Sequence, residues 1–412
     1  MIECDGHVRK AHQPKRYQTM IHEIRIQNFK SIRNVTVEFT PVTVLIGRSG
    51  TGKSNFIEAI RYLRDLLGAD WNGMGGGVAG MGSGVLSSVE TIRPLPKTNA
   101  PTRFEIFFSV RSEKKKYRYL LDLGKTPVEG GIGEEKLCLG ENVLFHQSVD
   151  ANNQAIWKVE PRLVEVPAPG GVALGRMPSL SEVVVAYVAL TEGIGCYSFP
   201  RSVMLDGAKS EAGQFGFQDA GSNYLQTMRK IVSNFQDSSA RQRILSSLQR
   251  VIHGVSSVEL NDLRQPQYAV VGHLFNRLTL ELKLSQESEG FRRFFAHLLA
   301  LNQQPSKLAM FFEHPEEGVH PSALSLLVDD FLAAPEDGRG QVILTTHSPE
   351  LLDRFDADQI QVVEKEGFFT QIGELAMEQR EALDNQLTEP GELLTVDPAR
   401  LEDALESTVH SE

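Results

Sequence analysis

Apolar and polar positions change period several times along this chain, and each change marks an element. Ile21 to Phe29 and Asn34 to Phe39 alternate with period two, which predicts two strands joined at Lys30-Ser31-Ile32. Val42-Thr43-Val44-Leu45-Ile46 is almost continuously apolar, as in a strand buried on both faces. Phe56, Ile57, Ile60, Leu63 and Leu67 then recur at helical spacing and predict a helix over Asn55 to Leu67. From Phe104 to Val159, short alternating runs between turns predict an antiparallel β-lobe that begins with the strands Phe104-Val110 and Tyr117-Leu123. Ser179 to Leu190 has helical character. Asn223 to Val255 reads as two helices broken near Asp237-Ser238-Ser239, and Val258 to Leu263 and Ala269 to Lys283 return to strand patterns. Phe291, Phe294, Phe295, Leu298 and Leu299 form one apolar face of a helix over Phe291 to Leu301. Leu308 to Phe312 and Gln341 to Leu344 are two more apolar strands. Buried strands interleaved with helices predict an α/β fold. No internal repeat and no sustained heptad series is present, so no long coiled-coil arm is expected.

Composition narrows this picture. The 412 residues suffice for two or three domain-sized units or one elaborated domain. No apolar run approaches the roughly 20 residues of a membrane span, and Met1 to Thr19 lacks the apolar centre of a secretory signal. Cys4, Cys138 and Cys196 have no metal-like spacing, which suits a reducing, cytoplasmic setting and argues against a zinc site. The net charge of −11 is uneven: Glu374 to Glu412 holds eleven acidic and two basic residues, a net of −9, which leaves the rest near −2. Within it, Gln386 to Glu412 reads as a weakly structured acidic tail or docking segment, with a short helix over Pro398 to Ser407. The nearly neutral body leaves nucleic acid open as a partner. Arg111, Lys114, Lys115, Lys116 and Arg118 make a basic stretch best read as a solvated hairpin turn. Seven glycines from Asn72 to Gly84 predict a flexible loop.

The chemistry concentrates in three places. Gly47-Arg48-Ser49-Gly50-Thr51-Gly52-Lys53-Ser54 fits the phosphate-binding P-loop pattern, and the strand before it and helix after it supply the context that pattern needs. Its glycines let backbone N–H groups curl around phosphate oxygens at a helix N-terminus, Lys53 reaches the β- and γ-phosphates, and the Ser54 hydroxyl holds Mg²⁺. Asn55 opens the following helix. The second place is the pair of strand ends at Glu313-His314-Pro315-Glu316 and Thr345-Thr346-His347-Ser348-Pro349-Glu350. Polar groups at the ends of buried parallel strands are where α/β folds put ligand chemistry; Glu313 can hold Mg²⁺ and His347 can sense a γ-phosphate. Singly, Glu313 also reads as a cap and His347 as a satisfied histidine. The third is Ser288-Glu289-Gly290 at a helix start, whose free N–H groups suit an anion; an ordinary N-cap is the plainer alternative.

These motifs, together with Ile24-Arg25-Ile26-Gln27-Asn28-Phe29-Lys30-Ser31-Ile32 and Asp219-Ala220-Gly221-Ser222-Asn223-Tyr224-Leu225, resemble in order the RecF-like branch of the ABC-type ATPases, the overcoming-lysogenization-defect and SMC-like group. The resemblance covers most of Met20 to Phe369. It implies an ABC-type ATPase head over 20–373, with a β-lobe at about 104–160, a helical insertion at about 179–255 and a signature and Walker B half at about 284–365. A flexible leader, 1–19, precedes the head, and the acidic tail, 374–412, follows it. It also implies a head-to-head homodimer, open to higher assembly, that sandwiches two ATP molecules. Each P-loop would meet the Ser288-Glu289-Gly290 signature of the other copy, and His347 would match the switch histidine.

One position departs from the resemblance. The family has Asp-Glu or Glu-Glu before Pro-Glu, the second acid orienting water, whereas this chain has Glu313-His314. Hydrolysis is then slow, dependent on Glu313 or Glu316, or absent. Two readings follow: an ATP-driven dimeric switch in DNA maintenance or phage defence with a separate effector protein, or a hydrolysis-poor ATP-binding scaffold that gates an effector. A built-in nuclease is disfavoured, because about 45 residues follow the last core strand where domains run from roughly 50 upward.

Overall fold

The computed structural model describes residues 19–71, 92, 100–110, 116–124, 132–149, 155–159, 162–167, 172–176, 181–205, 216–233, 238–261 and 267–402. The leader 1–18, the glycine-rich 72–84 and the basic turn 111–115 lie outside them.

The chain opens with the expected antiparallel pair, β1 (Met20–Phe29) and β2 (Ile32–Glu38). β3 (Val42–Ile46), buried at every position, feeds α1 (Lys53–Trp71), which is longer at both ends than its apolar stripe indicates. The β-lobe is an antiparallel series: β4 (Thr102–Ser109), β5 (Tyr117–Leu123), β6 (Ile132–Leu139), β7 (Asn142–Val149), β8 (Ala155–Val159) and β9 (Arg162–Pro167). Next come α2 (Ser181–Leu190), β10 (Ile194–Tyr197), α3 (Tyr224–Ser233) and α4 (Ser238–Val251). β11 (Val255–Asn261), β12 (Tyr268–Phe275) and β13 (Leu278–Lys283) form a separate antiparallel sheet. The run Ala269 to Lys283 thus folds back on itself, at Asn276 and Arg277, whose φ of 47° and 69° are those of a tight hairpin turn. The described chain ends through α5 (Glu289–Asn302), β14 (Ala309–Glu313), α6 (Pro321–Glu336), β15 (Gln341–Thr345), α7 (Pro349–Leu352), β16 (Ile360–Glu366), β17 (Phe369–Glu374) and α8 (Met377–Asp384).

The main sheet runs β10-β14-β15-β3-β16-β17-β2-β1-β4-β5-β6-β7-β8-β9. Neighbours from β10 to β16 are parallel, so their carboxyl ends share one edge. Side chains alternate across this section. Val44, Phe312 and Leu344 enter one apolar core with α3 to α6; Leu45, Phe311 and Ile343 enter the other with α1. Phe56, Ile57, Ile60, Leu63 and Leu67 of α1 are all buried. Each contributes roughly 1.5–3 kcal/mol, which pins the helix start against the sheet.

The acidic segment from 374 is expected as a tail, its part from Gln386 either weakly structured or docking. Up to Glu402 it packs on the head instead. Leu375, Leu383 and Leu393 are buried in the core, and the Gly391 N–H donates to Asp353 Oδ1 at 2.6 Å. Leucines spaced among the acids supply the burial that a charge count hides. Residues 398–402 are not helical, and 403–407 lie outside the described residues. Among the described residues no helix is long and apolar enough to cross a membrane.

Asp219 fastens α1 to the sheet. Its carboxylate accepts two hydrogen bonds from Arg64, both 2.8 Å, and one from Arg61 at 3.2 Å, and also takes the Cys196 N–H of β10 at 3.3 Å. Burial pulls the Arg64 pKa down, but these bonds to Asp219 hold it above its ordinary value. Asp219→Ala leaves the half-buried Arg64 guanidinium with exposed Asp65 as its remaining partner and is expected to cost about 3 kcal/mol, the low end for breaking a buried pair. Arg64→Leu is expected to cost about half that, since Asp219 keeps Arg61 and Cys196 N–H. Urea unfolding of both variants checks the order; equal losses would contradict it.

Candidate functional site

The P-loop leaves the carboxyl end of β3 between two neighbouring strands. A Cβ on Gly47 would lie 2.1 Å from the Val363 carbonyl oxygen of β16, and one on Gly52 would lie 2.0 Å from Thr370 Oγ1 of β17. Glycine is required at both positions by close approach, and both have positive φ, 151° and 113°. Arg48, Ser49 and Gly50 are exposed at the loop crest. Thr51 Oγ1 donates to the Arg48 carbonyl at 3.0 Å and closes the curl. Lys53 is buried and spans the loop, with Nζ donating to the Gly47 and Arg48 carbonyls at 2.7 and 3.0 Å. Burial lowers its pKa to about 8, with Glu316 opposing the fall. A partly desolvated cation in a cup of backbone groups gains most from an anion of high charge. Ser54 lies exposed in the first turn of α1, and Asn55 beside it donates from Nδ2 to Ser31 Oγ at 2.7 Å.

The ends of β14 and β15 complete the cluster. Glu313, half-buried, is the last residue of β14 and pairs in register with Thr345. His314 follows in the left-handed region, with φ of 48°, and its N–H donates to Thr345 Oγ1 at 3.2 Å. That backbone is strained for a non-glycine residue, and such residues concentrate at functional sites. The His314 ring stacks on His347, with centroids 4.9 Å apart and planes 13° from parallel. Glu316 Oε1 accepts the His347 N–H at 2.8 Å and lies 3.7 Å from His314 Nδ1. Glu316 Oε2 is buried without a partner among the described residues. The adjacent Glu316 carboxylate raises the His314 pKa against the opposing effect of burial. Burial pushes the Glu316 carboxyl up, but His314 and the His347 N–H bring it below its ordinary value. Burial, then the Lys53 charge, lowers the pKa of His347. The structure thus joins His314, Glu316 and His347 in one cluster within electrostatic reach of Lys53.

Ser288-Glu289-Gly290 lies elsewhere. Ser288 is the N-cap of α5 and accepts the Phe291 N–H at 3.2 Å. Among the described residues no hydrogen bond or ion pair joins this tripeptide to the P-loop. It is tied to the strand-end cluster instead. Buried Arg293 pairs with Glu289 at 3.2 Å and donates to the Glu317 carbonyl at 2.6 Å, and a Cβ on Gly290 would lie 3.0 Å from the Gly318 carbonyl oxygen. Sequence reading passed over Arg293; its signal was a charge in a helix whose other faces are apolar. It gave Ser31 no role beyond its place in the opening Ile24 to Ile32 motif, and passed over Thr370, which carries no motif of its own.

For a divalent cation, Ser54 at the start of α1 and Glu313 at the end of β14 offer one hydroxyl and one carboxylate, both hard oxygen donors. Among the described residues no group of three or more His, Cys, Asp or Glu side chains could hold a metal. A cation here therefore depends on phosphate oxygens and water for its remaining ligands, which suits Mg²⁺.

Residues 42–353 match the family model described as "AAA domain, putative AbiEii toxin, Type IV TA system". An ATP/GTP phosphatase of Helicobacter pylori is 21% identical over 367 residues, covering 85% of this chain and 90% of that protein. The Old nuclease of Escherichia phage P2 is 22% identical over 371 residues; the match covers 82% of this chain and 58% of the nuclease. In fold, the chain is similar to an SMC head solved bound to the C-winged helix domain of ScpA, with a TM-score of 0.52, 12% identity and coverage of 87% of this chain and 99% of that one.

Proposed function

Because this chain belongs to the AAA-domain family whose model it matches over residues 42–353, we propose that it is a RecF-like ATPase head that works as a nucleotide-dependent dimeric switch. The observation that carries this reading is the shared edge: the P-loop, the Glu313-His314 end and the His347 end all leave parallel strands on one side of the sheet. The Gly47 to Ser54 loop and Lys53 take the β- and γ-phosphates of ATP. Ser54 and Glu313 hold Mg²⁺, which supplies charge neutralisation at the phosphates when bound. Glu316 fixes the His347 backbone, so the His347 side chain stands at the γ-phosphate end of the loop. Among the described residues the signature tripeptide makes no hydrogen bond or ion pair to its own P-loop, and a second copy is the natural source of that half of the site, as in a two-fold sandwich.

The same reading assigns the output to another molecule. The family description and the nuclease relative support a role in phage defence or DNA maintenance through an effector protein. The alternative, a hydrolysis-poor scaffold that gates its effector, is favoured by His314. Its imidazole, held by Glu316 and stacked on His347, stands where the resembled family has a water-orienting carboxylate.

Two measurements test these assignments. Calorimetric titration of ATP is expected to show tight, Mg²⁺-assisted binding that Lys53→Ala abolishes; unchanged affinity in the variant would remove the P-loop from the mechanism. Steady-state ATPase assays are expected to show a gain of at least roughly tenfold for His314→Glu, since a carboxylate in that position orients the attacking water. A slower His314→Glu variant beside a fast wild type would make His314 a working base and end the scaffold alternative.

A further inference from the structure

We infer that a partly buried hydroxyl chain behind the P-loop, running from Asn55 through Ser31 and Thr370 to the Thr51 carbonyl, positions the loop amide that meets the nucleotide's phosphates; the inference rests on the nucleotide-binding reading above. Asn55 Nδ2 donates to Ser31 Oγ at 2.7 Å, Ser31 Oγ and Thr370 Oγ1 are 2.7 Å apart, and Thr370 Oγ1 donates to the Thr51 carbonyl at 2.8 Å. The direction of the chain is fixed. The Thr51 carbonyl only accepts, so it takes the Thr370 proton, and the Ser31 proton must point to Thr370. A backbone bond locks the two hydroxyl residues together, with the Thr370 N–H donating to the Ser31 carbonyl at 2.8 Å. Thr370 is fully buried, so water does not compete for its hydroxyl.

The consequence for the loop follows from peptide geometry. The Thr51-Gly52 peptide is planar and trans, so its carbonyl and the Gly52 N–H point to opposite sides. Tying the carbonyl back to β17 turns the Gly52 N–H away from β17 and toward the concave side of the loop, where Lys53 lies. Among the described residues that N–H has no backbone acceptor, so it is free for an anion. Thr370 also fills the space a side chain on Gly52 would need, which restricts that position to glycine. The amide is therefore set before nucleotide arrives, and binding does not have to supply the cost of ordering it. Thr370 and Ser31 touch no substrate; they are positioning residues that act through Gly52.

The test is ATP titration of the intact chain as wild type, Thr370→Val, Thr370→Ser, Ser31→Ala and the Ser31→Ala/Thr370→Val double variant, with thermal melting as the folding control. Thr370→Val, close in shape but without the hydroxyl, is expected to raise the ATP Kd about five- to tenfold, the worth of one hydrogen bond. Thr370→Ser is expected to stay within about twofold of wild type. Ser31→Ala is expected to weaken binding in the same sense, and the double variant to bind no more weakly than Thr370→Val, because members of one chain are not additive. Wild-type affinity in Thr370→Val, or a Thr370→Ser variant as weak as Thr370→Val, would overturn the inference. Ser31→Ala gives the same reading if Thr370→Val does not fold. A wild type that binds no ATP would instead remove the nucleotide reading itself.

Discussion

The register across three buried parallel strands governs this molecule. Leu45 of β3 pairs with Thr345 of β15, and Thr345 pairs with Glu313 of β14, so the strands end level with one another. The P-loop, the Glu313-His314 corner and the Thr346-His347 corner follow directly from those ends. Side chains alternate with period two, so a slip of one residue would turn Glu313 into a core and expose an apolar neighbour at the edge. Both faces of this section are covered by apolar cores, and that burial holds the register. Every proposed role, from phosphate capture to the sensing histidine, depends on it.

Much of this was legible in the sequence because local pattern and global fold agree there. The continuous apolar run of β3, the helical stripe of α1 and the glycine spacing between them specify a phosphate loop without reference to the rest of the chain. The helix pair near Asp237 and the strands ending at Glu313 and Thr345 follow from the same periodicities. What could not be read depends on contacts over long sequence distances. Thr370 lies 319 residues from Thr51, to which it bonds, and nothing about a threonine at a strand start marks it. The acidic segment misled for a related reason: its net charge dominates the composition, while Leu375, Leu383 and Leu393 do the packing. The hairpin at Asn276-Arg277 was missed because two strands of like pattern meet at a turn with no glycine or proline.

His314 is where chemistry and fold pull apart. Its left-handed backbone is held by the Thr345 hydroxyl, and its ring by Glu316 and His347. These contacts give the imidazole a structural task in a position where the resembled family has a water-orienting acid. Arg293 then carries the same corner to the signature helix through the Glu317 carbonyl. On the proposed reading, a change at the γ-phosphate would have a short, packed route to the surface that a second copy would use, which is what a switch needs whether its turnover is fast or slow.

Sedimentation velocity with a non-hydrolysable ATP analogue and Mg²⁺ tests the central claim most directly, comparing wild type with Ser288→Arg. The account predicts that nucleotide drives or tightens a dimer of the wild-type chain, and that the arginine, by bulk and charge at the start of α5, prevents it without unfolding the monomer. A wild type that stays monomeric with saturating nucleotide, or a Ser288→Arg variant that dimerises as well as wild type, would contradict it.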